Sequence, residues 1–259
     1  MKFLFALCLS VASASAAPEG MKLVWADEFD APGLPDPAKW GCEKGMIRNN
    51  EKQFYTDKRK ENARIEDGKL IIEAHKEKKD RGEFTSASLT TEHQAAWTYG
   101  RVEVRAKIPA ARGTWPAIWM LPTDIGKLGW PKCGEIDIME HVGFDHGVVH
   151  GTLHSETYNH TKGTQRGTKV KVPDASEAFH VYSVDWSAEK IEMAVDGKTY
   201  ATYKKEKGDT PDEWPFDKPF YLILNLAVGG GWGGMKWIDD AAFPQRMEVD
   251  YVRVYQQDR

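Results

Sequence analysis

The chain nowhere sustains a helical repeat: no stretch of a dozen residues places apolar side chains at three- and four-residue intervals. What recurs is a short run of alternating or continuous apolar residues, closed off by Gly, Pro, Asn or Asp. Residues 64–66 and 69–74 meet across Asp67-Gly68, and Asp196-Gly197 marks a second tight reversal. Both dipeptides suit the left-handed backbone of two-residue hairpins. Further runs fall at 99–108, 135–140, 148–154, 180–186, 191–195, 221–226 and 247–255. Strands of this kind bury their apolar faces only against another layer. The pattern therefore predicts an all-β protein, and at 259 residues a two-sheet sandwich. The charged run 76–81 (KEKKDR) reads as a solvated hairpin tip.

The first sixteen residues stand apart from that pattern. Lys2, the apolar run 3–11 and Ala14-Ser15-Ala16 have the form of a secretory signal peptide, so residues 17–259 are the expected mature domain, extracellular or periplasmic. Loss of Lys2 moves the formal net charge from −4 to −5. Nucleic acid and anionic membrane surfaces select basic patches, so neither is an expected partner, and no later segment has the length of a membrane span. All ten Trp lie in the mature part. An indole N–H needs a partner when buried, so ten of them point either to a large aromatic core or to flat apolar binding surfaces. Cys42 and Cys133 remain, as a disulfide or as two buried thiols.

The segment Gly134-Glu135-Ile136-Asp137-Ile138-Met139-Glu140 carries the chemistry. Residues two apart on a strand share a face, so Glu135 and Asp137 point one way and the isoleucines the other. A regular strand would send Glu140 into the core, whereas one extra residue at Ile138-Met139, a β-bulge, would return it beside the other two. Three carboxyls on one face raise each other's pKa, and glycoside hydrolysis by the retaining route uses such a pair as nucleophile and proton donor. A metal site and a plain acidic strand face are the competing readings. His146, His150 and His154 are spaced by four, as metal ligands on a helix would be. The intervening residues favour a strand, which holds them too far apart to share one ion.

Residues 135–140 match the E-x-D-x-x-E signature of the family 16 glycoside hydrolases, and the bulged spacing resembles the laminarinase branch rather than the dedicated lichenases, which lack the extra residue. Matching segments run in family order: WADEFD (25–30), NNEKQFYT (49–56), WTYGRVEVRAKIP (97–109), GTWPAIWMLP (113–122), WPKCGEIDIMEHVG (130–143), VVHGTLH (148–154), LNLAVGGGWGG (224–234) and VDYVRVYQ (249–256). The resemblance implies a concanavalin-like β-jelly-roll with a concave cleft, and an endo-β-1,3-glucanase tolerant of mixed β-1,3/1,4 glucans. By the same resemblance Glu135 is the nucleophile, Glu140 the general acid/base, and Asp137 the group that tunes the nucleophile. Trp115, Trp119 and Trp232 would line the cleft, joined by the polar residues Asn50, Arg101 and His154. Trp25, Trp40, Trp186, Trp214 and Trp237 are then expected in the core or at the sandwich edge, with Trp97 and Trp130 unassigned.

No cofactor is expected for catalysis. Many members of the family carry a structural calcium ion, and the matching positions are the backbone carbonyls of Glu28 and Gly68 and the side chain of Asp250. Two departures bear on substrate: relatives often carry Arg where this chain has Ser88, and a basic run where it has Glu92-His93-Gln94. The expected partner is a neutral β-glucan, bound by a monomer. The alternatives are a same-fold hydrolase of algal galactans, of the agarase or carrageenase kind, and a non-catalytic, lectin-like glucan binder. Asn159-His160-Thr161 is a glycosylation sequon.

Overall fold

A computed structural model describes residues 17–258; the segment 1–16, expected to be a signal peptide, lies outside the described residues. Two antiparallel sheets pack face to face. In one, the strands run in the order Arg166–Lys171, Val148–His154, Glu135–His141, Thr114–Pro122, Phe220–Val228, Ser88–Thr90 and Gly41–Cys42. In the other, Lys198–Lys204, Lys190–Val195, His180–Trp186, Gly100–Lys107, Gln245–Gln257, Lys69–Ala74 and Ala63–Glu66 follow one another, with Met21–Asp27 also paired to Gln245–Gln257. A parallel pair, Gln53–Tyr55 with Phe84–Ser86, lies beside them. Among the described residues the only α-helices are the single turns Ile125–Leu128 and Gly230–Gly233.

The alternation seen in the sequence is what fills the space between the sheets. Val102, Val104 and Ala106 of one sheet meet Leu222, Leu224 and Leu226 of the other in one buried cluster. At about 1.5–3 kcal/mol for each fully buried aliphatic side chain, this layer is the main favourable term. Asp67-Gly68 and Asp196-Gly197 close their hairpins with both residues at positive φ, as primed two-residue turns demand. The run 76–81 forms the mostly exposed tip of a reversal that ends in the Lys79–Gly82 bridge. Cys42 and Cys133 are both free thiols, one on an edge strand and one buried just before the strand of acids.

The strand Glu135–His141 breaks the alternation at one place. Against its neighbour Val148–His154, Asp137 pairs with Thr152 and Glu140 with His150, three residues against two. Against Thr114–Pro122, the extra residue again falls between Asp137 and Met139. Ile136, Ile138 and Met139 are all buried in the inter-sheet core, so two consecutive side chains turn inward and Glu140 emerges on the face of Glu135 and Asp137. Ile138 thus anchors the bulge. Replacing it with Ala is expected to cost about 2–5 kcal/mol, read as a lower urea midpoint at unchanged m-value.

Candidate active site

The outer face of the seven-stranded sheet carries the acids in rows. Glu135 lies opposite His154; Asp137 lies between Thr152 and Trp119; Glu140 lies between His150 and Ala117. A second apolar cluster of Ala117, Trp119, Leu121, Tyr221 and Ile223 covers this face, separate from the core. It exists because Thr114–Pro122 and Phe220–Val228 are apolar on both sides, one side for the core and one for the open face.

His154 Nε2 stands 3.5 Å from Glu135 Oε1 and 3.3 Å from Asp137 Oδ2, with all three side chains nearly buried. The donor atoms lie within 4.8 Å of one another, close enough for one cation or one shared proton. Asp137 Oδ2 accepts no aligned hydrogen bond, and a sealed carboxylate oxygen without a donor favours the protonated acid. Glu140 stands apart from that trio and accepts a hydrogen bond from Trp115 Nε1 at 3.0 Å. Burial pushes the Glu135 carboxyl well above the usual carboxylate range, with Asp137 and Glu140 adding to the rise and His154 opposing it. Asp137 is pushed well up by burial and by Glu140. Glu140 is also raised by burial, against the pull of the Trp115 N–H and of His154. The three titrate as a set, and protons are retained on it at pH values where a free carboxyl has lost its own.

Indoles border the acids. Trp115 meets Trp232 edge to face at 5.5 Å, and Trp232 in turn meets His150 at 4.9 Å. The Trp232 loop is tied to the segment carrying Asn50: Gly231 N donates to Asn49 O, and Glu51 bridges to Gly229. Asn50 is exposed on that segment, at positive φ. On the other side, Trp130 is tilted over His160 at 4.8 Å and lies 5.9 Å from His154, so this unassigned indole joins the site.

Three expectations are corrected. Arg101 is on the opposite sheet, where alternation turns it away from the buried Val102, and it pairs with Glu103 and Asp185. Trp119 is on the open face but only 8% exposed; its N–H goes to Asn225 Oδ1 and its ring carries the Arg48 guanidinium at 4.9 Å, so a sugar finds little free indole there. Trp237, expected in the core or at the sandwich edge, is not a core residue: it is 60% exposed, beside Arg112. Trp40, Trp97, Trp186 and Trp214 are buried, and Trp25 packs against Trp40 and Trp97. The sequon is closed, since the buried Asn159 gives its Nδ2 to the carbonyls of Ser155 and Glu156.

Sequence reasoning missed Arg48 and the hydrogen-bond chain behind Trp119, in which Asn225 Nδ2 donates to the Tyr55 hydroxyl and Gln53 Nε2 donates to the buried Glu51. Their residues lie within the NNEKQFYT and LNLAVGGGWGG segments or just before them, but nothing local marks which side chains meet. The positions that the resemblance assigns to calcium lie along one stretch of strand pairing. Met21–Asp27 and Lys69–Ala74 pair with Gln245–Gln257 on either side of an irregularity at Asp250, which leaves Glu28 and Gly68 flanking it. Oxygen donors suit calcium, but Asp250 already accepts from Arg105, and the Glu28 carboxylate from Arg253.

Carboxyls crowded on one strand beside indoles define a class of protein, the hydrolases of glycosidic bonds. The model of glycosyl hydrolases family 16 matches residues 50–253, and the chain belongs to that family. It is laminarinase-like within it. A protein named beta-glucanase from Rhodothermus marinus is 53% identical over 242 residues, covering 90% of this chain and 85% of its own. The X-ray structure of the laminarinase from Rhodothermus marinus superposes with a TM-score of 0.90 at 51% identity, over 92% of this chain and 98% of that one. A mutant of a non-specific endo-beta-1,3(4)-glucanase, co-crystallized with 1,3-beta-D-cellotriosyl-glucose, gives a TM-score of 0.89 at 47% identity, over 93% and 96%. The jelly-roll expectation agrees with these neighbours.

A buried carboxyl whose pKa is raised in the folded state holds a proton that the unfolded chain has already released. Stability is therefore full below the ordinary carboxylate range and falls as pH rises toward the raised value. Glu135→Gln removes one crowded charge, so it is expected to raise Tm at pH 8 and to change it little at pH 4, measured by circular dichroism melts.

Proposed function

We propose that this protein is an endo-acting hydrolase of internal β-1,3 bonds in laminarin-type glucans, accepting mixed β-1,3/1,4 chains and retaining anomeric configuration. The observation that carries the reading is the bulge of Glu135–His141, which brings Glu140 out beside Glu135 and Asp137. Glu135 attacks the anomeric carbon while Glu140 gives its proton to the leaving oxygen. Glu140 then takes a proton from water, whose oxygen displaces Glu135 and frees the sugar. Asp137 keeps a proton toward Glu135, and the Trp115 N–H holds Glu140 at the other end. Trp115 and Trp232 present apolar surface to the C–H faces of sugar rings.

The relatives support the glucan as substrate class, since those named above are a beta-glucanase, a laminarinase and an endo-beta-1,3(4)-glucanase. The mild net acidity suits a neutral polymer better than a sulfated galactan. The Glu135, Asp137 and Glu140 set argues against a lectin-like binder. We place the enzyme outside the cytoplasm on the strength of residues 1–16, with 17–259 as its catalytic domain acting as a monomer, and calcium at Glu28, Gly68 and Asp250 as a stabiliser.

Incubation with laminarin, lichenan, agarose and carrageenan is expected to give oligosaccharides from the first two only, with the β-anomer appearing first by NMR. Products from a galactan alone, or an α-anomer first, would overturn the reading. Glu140→Gln is expected to lower kcat on laminarin by about 10²–10⁴-fold, and Glu135→Gln by at least as much, in folded protein. EGTA is expected to lower Tm without changing initial rates, and Asp250→Asn to abolish that difference.

A further inference from the structure

Among the described residues, Arg48 is the cation that the fold seats on Trp119, an indole of the open face. Its guanidinium carbon is 4.9 Å from the centre of the Trp119 ring, and Trp119 pairs across the sheet with Asp137. The Arg48 side chain is held from behind. Its Nη2 donates to Glu43 Oε1, and the other oxygen of Glu43 accepts from the Ser88 hydroxyl. Ser88 stands in register with Asn225, which receives the Trp119 N–H. One loop and three strands thus fix one guanidinium, a planar group whose donors lie in a rigid fork.

That hold is incomplete in an informative way. Arg48 Nη1 is sealed within the protein and has no hydrogen-bond partner among the described residues, while the side chain as a whole is 21% exposed. The exposed part of the side chain is what a ligand can reach, and a guanidinium held in this way offers its donors in one fixed orientation. The field of Arg48 also reaches the nucleophile: it pulls the Glu135 carboxyl down against the rise caused by burial. The same guanidinium occupies the indole that a sugar ring would otherwise stack on.

We propose that Arg48, seated on Trp119 and tethered by Glu43 and Ser88, contacts substrate by donating hydrogen bonds to sugar hydroxyls in the subsite beside Asp137, in place of an indole–sugar stack there. The inference rests on the glucanase reading of the acids and adds a specificity-determining residue to it. The Ser88 hydroxyl donates to Glu43, which in turn holds Arg48, so the cation beside position 88 comes from the loop that carries both.

The test is a kinetic and calorimetric series on laminari-oligosaccharides of two to six units. Arg48→Ala is expected to raise KM, and the Kd measured in the Glu140→Gln background, by about 10- to 100-fold, with the smaller effect on kcat. Arg48→Lys should recover part of this, and Arg48→Ala combined with Ser88→Arg more of it. Unchanged KM and Kd in folded Arg48→Ala would show a structural role only. A lower KM would show that Arg48 merely blocks the indole. Either result overturns the proposal. If the unsubstituted enzyme cleaves no glucan, the glucanase reading fails instead, and the binding titration still decides whether Arg48 touches sugar.

Discussion

One extra residue in one strand sets the chemistry of this protein. With Ile138 and Met139 both turned into the core, Glu140 shares a face with Glu135 and Asp137. The core side of the bulge is what makes it stable: two apolar side chains fill the space between sheets where a regular strand would place one and bury a carboxylate. Packing energy is thereby coupled to the placement of charge.

The crowding that results is unfavourable for stability and useful for acid–base chemistry. Three carboxyls pressed together in a nearly dry face retain protons that free carboxyls release. Their surroundings differ, however. Glu135 and Asp137 share the imidazole of His154, whereas Glu140 faces the N–H of an indole. Different neighbours on chemically similar groups are how one site separates a nucleophile from a proton donor.

The ten tryptophans divide along the same line between stability and binding. Trp40, Trp97, Trp186 and Trp214 belong to the buried layers, and two of them satisfy their N–H within the protein, Trp40 on Asp27 and Trp186 on the Phe216 carbonyl. Trp115 and Trp232 stand against each other over the acids. Trp119 belongs to neither group, because it supports a cation rather than offering its ring to a ligand.

Alternation and turn chemistry are local properties, so the all-β class, the strand segments and both Asp-Gly hairpins were legible in the sequence, as was the set of acids with its extra residue. Sidedness follows from the pleat, and Trp115 and Trp119 do share a face. What a strand-by-strand reading lacks is the identity of the neighbouring sheet and loop. Arg101 has the alternation of a strand, but only the sheet order puts it on the face away from the acids. Trp119 has the spacing of a cleft residue, but only tertiary contact brings Arg48 over it, from a loop distant in sequence. The chain's own periodicity determined which side chains point together; long-range pairing decided what each of them meets.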